Sequence, residues 1–348
     1  MREAVSSVAI TMAELLTEGR TASPVATTAE PLLDVRDLAV QFHLGGRLFG
    51  GTRLLHAVNG VDLTLRAGEC LGLVGESGCG KSTVALAILG LVPATRGAIT
   101  VDGMAIGADA SIDRRRLART VQMVFQDPYA SLNPRQTVRR TLADPLRLHG
   151  VTNGGEVADR VAEMLRHVGL TADQADRYPH EFSGGQRQRI GIARALILRP
   201  KLVICDEPVS ALDVSIRAQI INLLLELKET LGLSYIMISH DLGVVEHMSD
   251  RVAVMYLGKI VETGEWRAIF ERPSHPYTRG LIAAIPDAFA PAAGAKDKVH
   301  GEIPSPFDPP SGCAFHPRCP IMVDACRAEP GPSLRAIAEG HAVSCWRA

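Results

Sequence analysis

The sequence predicts an α/β fold built on a mostly parallel sheet with helices on both faces. Three observations carry this. Short apolar β runs recur, each followed by sequence of helical periodicity, as in "LVICDE" over 202–207 and "SYIMISH" over 234–240. A glycine-rich loop, "GESGCGKST" over 75–83, stands between a strand-like run and a helix-like one. Aromatic residues make up only 4% of the chain while Gly, Ala and Val are common, which suits a tightly packed α/β protein better than a β-sandwich.

The elements follow in order. Residues 32–40 and "VDLTLRAGE" over 61–69 alternate as strands do, and 70–74 reads as a buried strand leading into the glycine loop and a helix from Lys81. "VQMVFQ" over 121–126 is a further strand. Residues 127–200 hold Pro-marked turns and helical patterns, among them 157–168 and 186–198. "RVAVMYLGKIVETG" over 251–264 predicts a closing hairpin with Gly258 at its turn, and a helix is expected over 278–285. Beyond Pro273 the composition shifts to Pro, Gly and Ala, and four of the seven cysteines follow, so a boundary is placed near 271. Residues 1–31 mix acidic residues with Ser, Thr and Ala and are expected to be a disordered tail.

Composition bounds the function. The chain of 348 residues is 46% hydrophobic, ample for a core, and its 37 basic and 38 acidic residues give no global electrostatic case for a nucleic-acid partner. No stretch approaches the roughly 18 apolar residues of a membrane helix, and the N-terminus lacks the basic start and apolar core of a signal peptide. A soluble, cytoplasmic protein is expected, in which disulfides are disfavoured and clustered cysteines lean toward metal.

The glycine loop matches G-x-x-x-x-G-K-[ST] in the required strand-to-helix setting. Gly75, Ser77, Gly78, Cys79, Gly80 and Thr83 would curl backbone N–H groups around a phosphate, aided by the helix dipole. Lys81 would reach β/γ oxygens and Ser82 would place its hydroxyl on Mg²⁺. In "LVICDE", Asp206 at a strand tip is a Mg²⁺ candidate, and Glu207, pointing to the other side, is a candidate to polarise an attacking water. "FSGGQRQRIGIARAL" over 182–196 opens with a second anion-binding nest that has no phosphate-binding lysine. One nucleotide has no use for two separate nests, so this one is expected to cap a nucleotide held by another subunit.

The phosphate loop, Gln126 after a strand, "FSGGQ", "CDEP", "SALD" over 210–213 and His240 appear in the order seen in ATP-binding cassette (ABC) proteins, and the resemblance covers about 32–270. It implies a P-loop NTPase nucleotide-binding domain, with a RecA-like core, an antiparallel β subdomain and a helical subdomain over about 127–200. Two cassettes would dimerise head to tail around two ATP molecules. Lys81, Ser82, Asp206 and Gln126 would handle phosphate and Mg²⁺, Glu207 would position water, and His240 would contact the γ-phosphate. Ser183, Gly184, Gly185 and Gln186 would close the opposite site, Asp213 would communicate between the two, and Phe42 would stack on adenine.

Repair ATPases separate their two nucleotide motifs with long coiled coils, and translation factors carry two cassettes; this chain does neither. "FQDPYASLNPR" over 125–135 and "RPSHPYTRGLIAAIP" over 272–286 resemble oligopeptide and dipeptide importer ATPases, a group that also includes nickel and glutathione importers. That resemblance implies two membrane permeases, gripped by the segment after Gln126, an external substrate-binding protein, and a place on the cytoplasmic face of the inner membrane. "GGRLFGGTR" over 45–53 resembles the second of two ATPases in peptide systems, which points to a homologous heterodimer partner.

The last cysteines are spaced Cys313-x5-Cys319-x6-Cys326-x18-Cys345, without the C-x2–4-C knuckles that structural zinc favours. Four thiolates suit a four-iron four-sulfur cluster or Zn²⁺, with His316 and His341 nearby. The resemblance to peptide-importer ATPases favours the cluster, as a staple for a Cys-rich extension over 271–348 with too little core to fold alone. Cys70, Cys79 and Cys205 stand singly and need no metal.

Overall fold

The computed structural model describes residues 30–45, 53–107, 113–284, 299 and 301–348. The expected N-terminal tail, apart from Glu30 and Pro31, and residues 46–52 of the 45–53 insertion lie outside them.

The alternating pattern of residues 32–40 continues to make β1 (Leu33–Leu44), which pairs antiparallel with β2 (Arg53–Leu65). The strand expected over 61–69 thus starts earlier and stops at Leu65, because "RAGE" folds into a turn in which Arg66 N–H donates to the Glu69 carboxylate at 2.7 Å. On the other side of β1 lies β4 (Arg96–Val101), joined to β5 (Met104–Ile106) through Asp102 and Gly103, both at positive φ. This hairpin was not anticipated. The four strands form one sheet in the order β2-β1-β4-β5.

The second sheet is built around β3 (Cys70–Val74), which leads into α1 (Lys81–Ile88). Next come α2 (Arg114–Thr120), β6 (Val121–Val124), α3 (Pro128–Ser131), α4 (Val138–Leu148), α5 (Gly154–His167) and α6 (Gly184–Leu196). They are followed by β7 (Leu202–Asp206), α7 (Val214–Leu231), β8 (Ser234–Ile238), α8 (Leu242–Met248), and the hairpin β9 (Arg251–Tyr256) and β10 (Lys259–Glu265). Strands β9, β3, β8, β7 and β6 are parallel neighbours, so the mostly parallel sheet is as expected.

Period-two alternation divides the core. Leu71, Leu73, Leu202, Ile204, Ile236 and Ile238 pack against α1 and the antiparallel sheet. Cys70, Val203, Cys205, Tyr235 and Met237 face the cluster that runs through α4–α7. The loops after β3, β7 and β8 all emerge from the C-terminal edge of this sheet, where open α/β sheets bind ligands.

After α9 (Trp266–Glu271), α10 (Pro276–Ile282) begins two residues before the helix expected over 278–285, because His275 caps it and Pro276 fits the first turn. The chain closes with β11 (Arg335–Ala338) and β12 (His341–Val343), and β12 pairs antiparallel with β10. Tyr277 and Phe315 bury themselves in a third cluster with Val252, Val254, Tyr256 and Val261, so this segment shares its core with the sheet.

Candidate nucleotide site

The loop between β3 and α1 turns through Gly80 at φ 107°, where a Cβ would stand 2.3 Å from the Ala57 carbonyl oxygen. Only glycine fits. The turn delivers Lys81 to the inside of the loop, 7% exposed, where its ammonium donates to Gly75 O at 2.7 Å and Glu76 O at 3.0 Å. Among the described residues no carboxylate lies within ion-pair distance of it. A buried cation held by two carbonyls and the Cys79 sulfur, 3.6 Å away, matches a polyanion such as a triphosphate.

Asp206 ends β7 beside this lysine. Burial raises its carboxyl pKa, opposed by a hydrogen bond from Ser82, raised further by Glu207 and lowered by Lys81. A carboxylate destabilised by burial and facing a serine hydroxyl is a fitting donor set for Mg²⁺. Glu207, at φ 49°, takes up a left-handed conformation. That turn sends its carboxylate to two partners: Gln126 Nε2 donates to Oε2 at 2.7 Å, and His240 Nδ1 lies 3.0 Å from Oε1. The ends of β6, β7 and β8 thereby bring three predicted residues together, Gln126 through a hydrogen bond to Glu207 and His240 through an ion-pair contact with it.

The second nest sits at the start of α6. Ser183 Oγ accepts from Gln186 N–H at 3.3 Å, while Gln186 Oε1 accepts from Ser183 N–H at 3.1 Å. A Cβ on Gly185 would stand 2.6 Å from Ile216 Cγ2 on α7, whereas one on Gly184 would meet nothing closer than 3.7 Å. Asp213 precedes α7 with its side chain exposed, and its carbonyl accepts from Arg217 N–H at 2.9 Å. Phe42, partly buried on β1, packs against the core cluster that includes α1.

The family model described as "ABC transporter" matches residues 58–210, and that described as "Oligopeptide/dipeptide transporter, C-terminal region" matches 261–326. The chain is 51% identical to the oligopeptide transport ATP-binding protein OppF of Salmonella typhimurium, over 91% of this chain and 96% of that one. The chain belongs to the ABC transporter ATPases. It is 46% identical to the di/tripeptide transport ATP-binding protein DppF of Pseudomonas aeruginosa, over 92% of this chain and 98% of that one. Among solved structures, the ATP-binding cassette MJ0796 in a dimeric post-hydrolysis state with ADP and Pi matches with TM-score 0.58 and 27% identity, covering 68% of this chain and 99% of that one. CbiO1 from Clostridium perfringens, part of the transporter complex cbiONQ, matches with TM-score 0.60 and 27% identity, over 70% and 92% respectively.

Beside Gln126 the cassette carries a groove of about 870 Å³ between α1, α2, α3 and α6. Leu91, Leu117, Met123 and Phe125 make it largely apolar, and Gln126 and Asp206 line it as well. Leu91 is 60% and Phe125 42% exposed. Arg194 reaches the groove from α6, donating to the Ser131 carbonyl, with its guanidinium 5.8 Å from the Phe125 ring centroid. Sequence reading missed Leu91 and Arg194, since one looks like a helix-end residue and the other like ordinary helix surface. Among the described residues no helix is long and apolar enough to cross a membrane.

Among the four C-terminal cysteines, Cys313 and Cys319 feel the charges of others in the group. Burial raises the Cys313 thiol, and Cys326, Cys345 and Cys319 raise it further; burial also raises Cys319, with Cys345 and Cys326 adding to the effect. Cys313 N–H donates to Cys326 O at 2.8 Å, and Cys326 and Cys345 are buried. Among the described residues no three His, Cys, Asp or Glu side chains stand together as a preformed metal-ion site. His316 Nδ1 is instead 3.0 Å from Cys313 O, and His341 Nε2 is 2.8 Å from Glu262 Oε1.

Proposed function

We propose that this ATPase powers the uptake of oligopeptides or dipeptides through two transmembrane permease subunits, from the cytoplasmic face of the inner membrane. The likeness over nine-tenths of the chain to ATP-binding proteins named for peptide transport carries this reading. A homologous second ATPase completes the head-to-tail pair, and an external binding protein delivers the cargo. The apolar groove beside Gln126 supports the coupling step: an apolar helix or loop of a permease fits it, one residue from the catalytic chain. Proteoliposomes holding the ATPase with its co-purifying permeases and binding protein test the reading. ATP-dependent accumulation of labelled peptide is expected; accumulation of nickel or glutathione without peptide would overturn it.

In the cycle, Lys81 and the N–H groups of residues 75–83 hold the β- and γ-phosphates, with Phe42 against the base. Ser82, Asp206 and Gln126 would hold Mg²⁺, which would supply charge neutralisation at the leaving oxygen. Glu207 aligns and polarises the attacking water, and its strained backbone, fixed by Gln126 and His240, keeps that carboxylate aimed. Ser183, Gly184, Gly185 and Gln186 of the opposite subunit close over the γ-phosphate, and Asp213 lies on the path between the two sites. The cassette thus spans 32–270, with its helical subdomain over about 127–200, and the extension spans 271–348.

At the extension, Cys313, Cys319, Cys326 and Cys345 would hold a four-iron four-sulfur cluster. The resemblance of the Cys-x5-Cys-x6-Cys-x18-Cys spacing to that of peptide-importer ATPases, and the absence from it of the C-x2–4-C knuckles that structural zinc favours, support this assignment. Anaerobically purified protein is expected to show broad visible absorption that dithionite bleaches. A colourless sample with one zinc per chain would overturn the assignment.

A further inference from the structure

Glu76, the second residue of the phosphate loop, faces two ways. Inward, its carbonyl accepts from Lys81 Nζ at 3.0 Å, next to the Gly75 carbonyl at 2.7 Å. Outward, its remaining polar groups are bound to the C-terminal segment. Its N–H donates to Tyr277 Oη at 2.8 Å. Its carboxylate takes a two-pronged bond from Arg318, Nη1 to Oε2 at 2.6 Å and Nη2 to Oε1 at 2.9 Å.

These partners are rigidly mounted. The Arg318 side chain is only 6% exposed, its guanidinium lies 5.7 Å from the Tyr256 ring centroid, and Nη1 is 3.5 Å from Tyr256 Oη. Tyr256, Tyr277 and Phe315 pack on one another in tilted and edge-to-face contacts, with ring centroids 4.7–5.4 Å apart. Phe315 and Arg318 belong to one turn, closed by Arg318 N–H to Phe315 O at 3.0 Å. The cluster continues into the sheet through Tyr256 on β9, the parallel neighbour of β3. The outer wall of the phosphate loop is therefore supplied by the extension.

We propose that Arg318 and Tyr277 are positioning residues for ATP binding: by clamping Glu76 from outside they fix the peptide whose carbonyls seat Lys81. A bidentate guanidinium–carboxylate pair specifies orientation as well as distance. Freed of it, the 75–76 peptide can rotate, and Lys81 loses its fixed register with the β- and γ-phosphates. The clamp acts on binding and leaves the hydrolytic chain Gln126–Glu207–His240 untouched.

The test uses the full-length chain in a Glu207→Gln background, with a fluorescent ATP analogue read at equilibrium, and the same substitutions in the active chain for steady-state kinetics. Arg318→Met keeps the volume and removes the fork; it is expected to raise the Kd and KM for ATP about tenfold, within the ordinary range of coupling between two sites, with kcat within about twofold. Arg318→Lys restores charge without the fork and should recover only part of the loss. Tyr277→Phe, which removes one acceptor and keeps the ring, supplies an independent measurement and should weaken binding a few-fold. Val343→Ala on β12 loosens the same segment without touching Glu76. Unchanged ATP affinity in Arg318→Met and Tyr277→Phe would overturn the proposal. So would an equal affinity loss in Val343→Ala at matched melting temperature, which would make the effect one of general stability. If Arg318→Met does not fold, Arg318→Lys and Tyr277→Phe decide the matter on the same criteria.

Discussion

Gln126 and Glu207, 81 residues apart in the chain, meet in a 2.7 Å hydrogen bond that joins the end of β6 to the end of β7. A residue that lines the apolar groove is thus bonded to Glu207, the residue proposed to activate water. Glu207→Gln retains the shape and removes the charge. Phosphate release is expected to fall by roughly 10²–10⁴-fold, the usual worth of a positioned base, with ATP affinity preserved; the two are read by a phosphate assay and by equilibrium binding.

Asp206 is held against its own preference. Its carboxyl pKa is raised mainly by burial, so the folded state favours the protonated form, and the charge carried at neutral pH costs stability that acidification toward the raised pKa recovers. Asp206→Asn is therefore expected to raise the melting temperature of the nucleotide-free protein while abolishing Mg²⁺-dependent hydrolysis. A lower melting temperature would contradict this.

Gly185 is fixed by packing. Alanine there would press on Ile216 Cγ2, 2.6 Å away, and overpacking of this kind costs about 1–3 kcal/mol. Gly185→Ala should lower stability in urea titration by that amount, and adding Ile216→Ala should return much of it. Independent, additive effects would rule out the contact as the cause.

Leu91 tests the groove. Being 60% exposed, Leu91→Glu should change stability by less than about 0.5 kcal/mol and leave ATP binding intact. Stimulation of hydrolysis by co-reconstituted permeases should be lost. Full stimulation would exclude the groove as the docking surface.

His275 makes the extension acid-sensitive. It is 1% exposed, its Nδ1 accepts from Tyr277 N–H at 3.1 Å, and burial, with a contribution from Arg279, pushes its pKa down from 6.5 to about 3. The unfolded chain therefore takes up the proton first. The stability of neutral His275 is complete above about pH 6.5 and declines as the pH falls, by roughly 2–3 kcal/mol over two units. His275→Asn keeps an acceptor for the helix cap and should flatten this part of the stability–pH curve, followed by Tyr fluorescence of the Tyr256–Tyr277 cluster.

Much of the fold is legible in local sequence because its elements have local causes. β3, β7 and β8 are largely apolar runs that lead into Gly75, Asp206 and Ser239-His240, which is what a strand buried on both faces with a polar tip requires. The β4–β5 hairpin had its signal in Asp102-Gly103 between alternating residues, and it went unused. Strands β11 and β12 had almost none: β11 is exposed along its whole length, and pairing through β12 to β10 creates it. At the site, Asp206, Glu207, Gln126 and His240 stand out as polar residues directly after apolar strand runs, and Lys81 as the lysine that closes a glycine-rich loop at the start of α1. Glu76 occupies a position that the phosphate-loop pattern leaves open, and its partners could be found only once the chain had folded back on itself.

Because Tyr277 and Arg318 come 201 and 242 residues after Glu76, the phosphate loop acquires its outer wall late in synthesis. The nascent chain passes the loop, Ser183–Gln186 and Glu207 before either Tyr277 or Arg318 leaves the ribosome. A cassette still being translated therefore holds every nucleotide motif with the loop unbraced. If the clamp acts as proposed, the ATP site is braced only when the polypeptide is nearly complete.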